Sequence, residues 1–278
     1  MSKKIISKKN GNGQKDKKEV AVIGISKFAI MKPNVDIKAV IEANLGGETI
    51  SALDLERVKI PGGGGTTWTV PKFGGVDEIK ELDVLIILHT SNRTYWETEF
   101  GQGEPGPPDC YSDDCVTGFI RADFVPSEGH MSPTSVCGEQ TCPMAKFGTA
   151  KGGKGDGQAC TQKRTLFFLR ENSLLPMTLN ASPASLKNAM KYLIGMTGAG
   201  MEPHHIVTRL TLQPDRTKGG VEYSKIVFTP LANSIPEAQW PEIDGYVAAI
   251  SPFLKKAARE IAQDVTQDTP YEEQKAAA

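Results

Sequence analysis

Residues 84–96 read Val-Leu-Ile-Ile-Leu-His-Thr-Ser-Asn-Arg-Thr-Tyr-Trp. The run opens as continuous apolar sequence rich in β-branched residues and ends polar and aromatic. That is the pattern of a strand buried on both faces in its first half. Period-two alternation puts Leu85, Ile87, His89, Ser91, Arg93 and Tyr95 on one face. The apolar pattern then stops for 67 residues, 97–163, and resumes as a second strand at Arg164-Thr-Leu-Phe-Phe-Leu-Arg170. A connection that long with no core of its own is functional or held by a metal.

All five cysteines lie in that connection: Cys110, Cys115, Cys137, Cys142 and Cys160. The residues between them are Gly, Pro, Ser, Asp and Lys, which bury too little apolar surface to offset the entropy of ordering. Cys110-Tyr-Ser-Asp-Asp-Cys115 and Cys137-Gly-Glu-Gln-Thr-Cys142-Pro share a spacing suited to two ligands from one turn. Gaps of 21 residues to Cys137 and 17 to Cys160 fit a zinc ribbon drawn from separate arms. Four thiolates hold zinc as a closed structural site. The expected ligands are Cys110, Cys137, Cys142 and Cys160 around one structural Zn2+. Cys160 is included because it ties the insertion to the second strand. Cys115 is left out, and His130 is a substitute ligand. Disulfides are disfavoured by the odd count and the lack of a secretory leader, and free thiols remain an alternative.

Downstream, Leu174 to Leu179 reads as a third strand. Ser182-Pro183 opens a helix as cap and first-turn proline, with Leu186, Met190, Leu193 and Ile194 as its apolar face and Gly195 and Gly198 ending it. Ile206 to Leu212 and Val221 to Phe228 are the fourth and fifth strands, joined by a turn over 214–220. An amphipathic helix follows from Pro241 to about Gln263, with Ile243, Val247, Ile250, Leu254 and Ile261 inward. Upstream, Val20 to Met31 is apolar without a clear period, and a short helix through Asn44 starts at Asp36 and ends at Gly46-Gly47. Four glycines, 62–65, lead to Thr66-Thr67-Trp68. A phosphate-cradling loop needs Gly-Lys-Ser/Thr opening a helix, so this segment reads as a flap carrying Trp68, with a core position for Trp68 as the alternative.

Composition is that of a soluble chain: 39% hydrophobic, 23% charged, formal net charge −1. No apolar run is long enough to span a bilayer, and the expected location is cytoplasmic, within a host cell. Residues 1–18 carry seven Lys against one Asp and read as a disordered basic arm; residues 264–278 carry four acids against one Lys and read as a flexible acidic tail that could recruit partner proteins. Between them, residues 19–263 form one domain containing the insertion 97–163.

Strand, long insertion, strand, strand, helix, strand, strand is the element order of a five-stranded OB-fold barrel, so the expected class is α+β, mainly β, with a zinc-ribbon-like insertion between the first two strands and a C-terminal helix. An open α+β sheet is the alternative. The stretches Pro61–Pro71, Arg93-Thr-Tyr-Trp96, Cys110-Tyr-Ser-Asp-Asp114, Cys137 with Cys142-Pro143, Cys160 and Leu166–Met190 resemble single-stranded DNA-binding proteins of phages and mobile elements. The layout is similar to the C-terminal OB domain of the replication protein A large subunit. The resemblance spans roughly residues 55–255, and Cys115 departs from its pattern of small residues after the Asp pair. It implies binding of single-stranded DNA without sequence preference in replication or recombination.

A single-strand binder needs cations along a groove and flat side chains for stacking. Alternation puts Arg164, Phe168 and Arg170 on one face of the second strand, Arg209 on the fourth, and Tyr223 with Lys225 on the fifth. With Arg93, Tyr95 and the flap residue Trp68 these are the expected nucleic-acid contacts. Enzyme readings are weaker. Asp113-Asp114 lacks a basic or nucleophilic partner, His204-His205 lacks a Glu at metalloprotease spacing, and Cys137 and Cys142 lack deaminase spacing. The competing reading is a zinc-stabilised protein-interaction adaptor that binds no nucleic acid.

Overall fold

The computed structural model describes Phe28 and residues 37–263, apart from 47, 49, 52–53, 99–105, 126–135, 139, 151–156, 218–219 and 233. The basic arm, the acidic tail, His130 and most of Val20–Met31 lie outside the described residues. Among the described residues, three helices and ten strands follow in chain order: α1 (Ile37–Leu45), β1 (Arg57–Val58), β2 (Trp68–Lys72), β3 (Gly75–Ile79), β4 (Glu81–Tyr95), β5 (Cys110–Ser112), β6 (Phe119–Ile120), β7 (Thr161–Arg170), β8 (Met177–Ala181), α2 (Pro183–Gly198), β9 (Thr208–Arg216), β10 (Glu222–Pro230) and α3 (Trp240–Gln263).

The fold is α+β: a curled, open sheet with a C-terminal helix. Strand β4 is its spine. One edge pairs antiparallel with β7 from Val84 to Thr94. The other edge pairs with β9 over Glu81–Val84 and with β5 over Arg93–Tyr95. Strand β8 pairs antiparallel with β7 and parallel with β1, and β9 pairs with β10. The β4–β7 ladder shifts register between Ile86 and Leu88. A bulge there inverts the parity of everything after it. Leu85 and Ile87 lie in the cluster under α3 with Phe167 and Leu169. His89 pairs with Leu166, a residue of the opposite cluster, so His89, Ser91, Arg93 and Tyr95 follow the opposite face. The strict alternation expected from the sequence fails at this one residue.

Two cores flank the sheet. Inside the curl, Trp68, Val70, Leu82, Val84, Ile86, Phe168, Leu179 and Leu210 pack beneath Tyr192 and Met196 of α2. On the other side, Phe28, Leu85, Phe167, Leu169 and Val207 pack under Ile243, Leu254, Ala257 and Ile261 of α3. Helix α3 therefore buries the stripe its periodicity indicates. Helix α2 does not: it buries Ser185, Ala189, Tyr192 and Met196, while Met190 and Ile194 are exposed. Polar chemistry explains the rotation. Asn188 Nδ2 donates to the Ile226 carbonyl at 2.8 Å, and the Ile226 N–H donates to Ser185 Oγ at 3.0 Å. The outer edge of β10 is thus satisfied by α2, and β8 takes β1 on its own outer edge, which leaves the sheet open.

The glycine run makes a turn, with Gly63 and Gly64 at φ +60° and +72°, a region that favours residues without a Cβ. Trp68 is no flap residue. It is fully buried in the inner core, and its Nε1 donates to the Leu210 carbonyl at 3.2 Å. The following hairpin, β2–β3, went unread in the sequence; its exposed tip carries Phe73. Trp68→Ala should destabilise the protein by about 3–5 kcal/mol and Trp68→Phe by about 1 kcal/mol, as measured by urea unfolding. Equal stability of wild type and Trp68→Ala would contradict the core assignment.

Candidate metal centre and binding face

The thiols gather at the polar end of β4. Cys110 opens β5 opposite Tyr95, and Cys160 precedes β7 with its N–H on the Met144 carbonyl at 2.7 Å. Cys142 ends a turn in which its own N–H and that of Thr141 both reach the Gly138 carbonyl, with Gly138 at φ +151°. Cys137 is tied across to Val116 by an N–H···O bond of 2.6 Å. Cys142, Cys160, Tyr95 and Ala145 form a small core of their own, with Cys110 packed against it. Burial, and then the neighbouring Cys137, pushes the Cys110 thiol up to about 12. Burial raises Cys115 to about 11, and also raises Cys137 and Cys160. Cys110, Cys137 and Cys142 are all electrostatic neighbours of Cys160. Cys115 instead faces Arg93, Cys137 and Arg164, from a backbone at φ +61°. The sulfurs do not stand at the spacing of a bound ion. Among the described residues, the one group of His, Cys, Asp or Glu ligand atoms all within 4.8 Å of one another contains no cysteine. Tetrahedral zinc requires thiolates about 3.8 Å apart.

The carboxylate pair in this region is structural. Asp114 Oδ1 accepts from Ser112 Oγ and from the N–H groups of Val116 and Thr117 at 2.7–3.0 Å. Burial opposes ionisation of Asp114, but these donors hold its carboxyl below the ordinary range. Asp113 accepts from Arg259 Nε of α3 at 2.7 Å, which docks the insertion on the C-terminal helix.

The expected nucleic-acid residues do not converge on one exposed face. Trp68 and Phe168 are core. Tyr95 is buried against the thiols, where burial lifts its hydroxyl to about 12. Arg170 pairs with Asp77 at 2.6 Å, Arg209 with Asp83 and Glu81 at 2.6–2.9 Å, and Lys225 with Asp215 at 2.8 Å, beside the half-buried Tyr223. Arg93 and Arg164 are 5% and 8% exposed. Arg93 donates to Gln162 Oε1 at 2.7 Å and to the Cys160 carbonyl at 3.4 Å. Arg164 Nη1 donates to His89 Nδ1 at 2.9 Å. Burial and then the Arg164 charge lower His89 to about 4, so it is neutral at pH 7. The Nε of each arginine is buried without a hydrogen-bond partner, and among the described residues neither arginine has a carboxylate partner.

A different set does line up. On the α3 side of the sheet, beyond the bulge, Thr90, Asn92, Lys163, Thr165 and Asn180 share one face of β4, β7 and β8. Asn92 Nδ2 donates to Thr165 Oγ1, and Thr165 Oγ1 donates to Asn180 Oδ1, both at 2.8 Å. Arg57 adds a charge from β1, next to Thr178. Burial, and then the Arg57 charge, lowers Lys163 to about 8. Sequence reasoning missed this strip because the bulge was not visible in it. It also missed Asp244, which meets His204 and His205 across 40 and 39 residues of chain.

Compared with family models, curated proteins and solved structures, the chain matches none. Among the described residues no helix is long and apolar enough to cross a membrane.

Buried thiols with raised pKa react slowly, because the thiolate is the nucleophile. Cys110 and Cys115 of metal-free protein should alkylate slowly with iodoacetamide at pH 7.5 and progressively faster up to pH 10, read by mass spectrometry of the folded chain. Fast modification of either at pH 7 would refute the burial described.

Proposed function

We propose that the chain is a metal-stabilised binding protein, not an enzyme, and that it holds single-stranded nucleic acid on the polar strip of the sheet. The observation that carries this reading is the hydrogen-bonded row Asn92–Thr165–Asn180 with Lys163 and Arg57 beside it. Asn92 and Thr165 are buried and hold the row from beneath. Its solvent side is the half-buried Asn180, Lys163 and Arg57, where the amide meets sugar or base edges without strong preference and the two cations meet phosphates. The connectivity supports an OB-like ancestry: three antiparallel strands in sequence (β4, β7, β8), a helix, then β9 back on β4 and β10 on β9. In such barrels the face of the second and third strands, here β7 and β8, and the loops beside it carry the nucleic acid.

Structural zinc on Cys110, Cys137, Cys142 and Cys160 belongs to the same proposal. Buried guanidinium groups without a counter-charge are costly. Arg93 lies in the electrostatic field of Cys137 and Cys160, and Arg164 in that of Cys115. Ionising Cys137 and Cys160 for a metal supplies negative charge beside Arg93, while Arg164 faces Cys115, outside the four ligands. Arg93 is therefore read as a counter-ion of the thiolates, and neither buried arginine as a phosphate ligand. Bound zinc would hold the thiolates together and order the insertion.

Two measurements test these halves separately. Protein purified without chelator should contain one zinc per chain by elemental analysis, with about four protons released per zinc on reloading; zinc-free, folded protein overturns the metal. In the second, oligo-dT anisotropy should weaken about tenfold in Lys163→Met and lose about one unit of salt slope in Arg57→Ala. Affinity should also fall as pH rises through about 8, where Lys163 loses its proton, well before an ordinary lysine would. Absence of oligo-dT binding at low salt favours the protein adaptor.

A further inference from the structure

We infer that His204, His205 and Asp244 form a second, thiol-free site for a divalent transition metal. The two histidines lie in the short helical turn Pro203–His205 that leads into β9, and Asp244 lies near the start of α3. Consecutive residues usually project apart, but this turn aims both rings the same way. His204 Nε2 is 2.9 Å and His205 Nε2 2.8 Å from the same atom, Asp244 Oδ1. Glu202 Oε2 stands 3.5 Å from His204 Nε2, beside this group of three ligand atoms but outside it.

The rings are held in place before any ligand arrives. His205 stacks flat on Trp240, with centroids 4.3 Å apart and planes 3° from parallel, and meets His204 edge-on at 4.5 Å. His205 Nδ1 is buried without a partner, so the ring offers Nε2 alone to the cluster. The nitrogens are buried while the carboxylates are open: side-chain exposure is 8% and 11% for the histidines, 51% for Asp244 and 69% for Glu202. An ion thus reaches the site from solvent on the carboxylate side.

Two imidazoles with carboxylates suit Zn2+, Co2+ or Ni2+ better than Mg2+ or Ca2+. Two imidazoles and the Asp244 carboxylate leave the remaining position of the ion to water. A tetrahedral ion with bonds near 2.0–2.1 Å needs ligand atoms about 3.3 Å apart. The present N···O distances are hydrogen-bond lengths, so binding an ion at Nε2 leaves each neutral ring with its proton on Nδ1 and spreads the ligands by about half an ångström. Asp244, on the exposed first turns of α3, is free to make that shift. The bound ion would clamp the start of α3 to the start of β9.

The test is Co2+ titration of the metal-free full chain past one equivalent, since zinc would itself fill the site. The expected result is a further equivalent of Co2+ giving weak visible d–d bands without thiolate-to-cobalt charge transfer in the near ultraviolet, together with a melting temperature that rises with metal concentration. His205→Ala should weaken this binding about tenfold or more. Asp244→Asn, which keeps a hydrogen-bond acceptor and should preserve the circular dichroism of the fold, should do the same. Failure to take up Co2+ without charge transfer overturns the site, as does unchanged Co2+ affinity in folded Asp244→Asn. Charge-transfer bands alone would assign the cobalt to the cysteines and also overturn it. Neither the spectrum nor the variants depend on nucleic-acid binding.

Discussion

Strand β4 carries ladders to three other strands, and a single extra residue between Ile86 and Leu88 decides what each of its side chains meets. Before the bulge, Leu82, Val84 and Ile86 point into the curl; beyond it, Arg93 and Tyr95 follow that face. Without the bulge they would project toward α3, and Asn92 would turn inward. A bulge also sharpens local twist, which suits a strand paired at opposite ends of one edge with β9 and β5. The positions of the thiol-bearing insertion, the polar strip and the inner core therefore all depend on one irregularity in backbone register.

The electrostatics of the insertion follow from the same placement. Two guanidinium groups are carried inward on β4 and β7, where His89 is neutral and accepts a proton-bearing nitrogen without supplying charge. The anions within reach are thiols that burial keeps protonated. Charge balance at this end of the sheet and ionisation of the cysteines are thus one linked equilibrium. Among the described residues the apolar cluster of the insertion is small, Tyr95, Cys142, Ala145 and Cys160 with Cys110, Phe124, Met144 and Ala159 beside them.

Long periodic elements were legible in the sequence, and the reasons are physical. Strand β4, the return at β7, the proline-started α2 and the stripe of α3 all rest on local pattern, as does their order along the chain with β8, β9 and β10, whereas the expected closed barrel is here a curled, open sheet. What failed depended on partners distant in sequence. Trp68 is core because Leu210 offers it a carbonyl. Helix α2 is rotated because Ser185 and Asn188 satisfy the edge of β10. Arg170, Arg209 and Lys225 look like free cations in sequence, but Asp77, Asp83 and Asp215 pair with them. The clustering of cysteines was readable from spacing, whereas the arginines beside them could not be placed without the bulge.

The insertion leaves the sheet after Tyr95 and returns at Thr161, and Thr94 is the register partner of Thr161. Its two ends are therefore neighbours on adjacent strands, about 5 Å apart. The whole excursion is a closed loop hung from one hairpin position, tied elsewhere by β5 on the rim of β4 and by the Asp113–Arg259 contact. A short turn could join the same two strands in its place. The sheet is in this sense a chassis, and the cysteine-bearing loop an exchangeable part that can be lengthened, replaced or lost while the path of the backbone through the two cores stays the same.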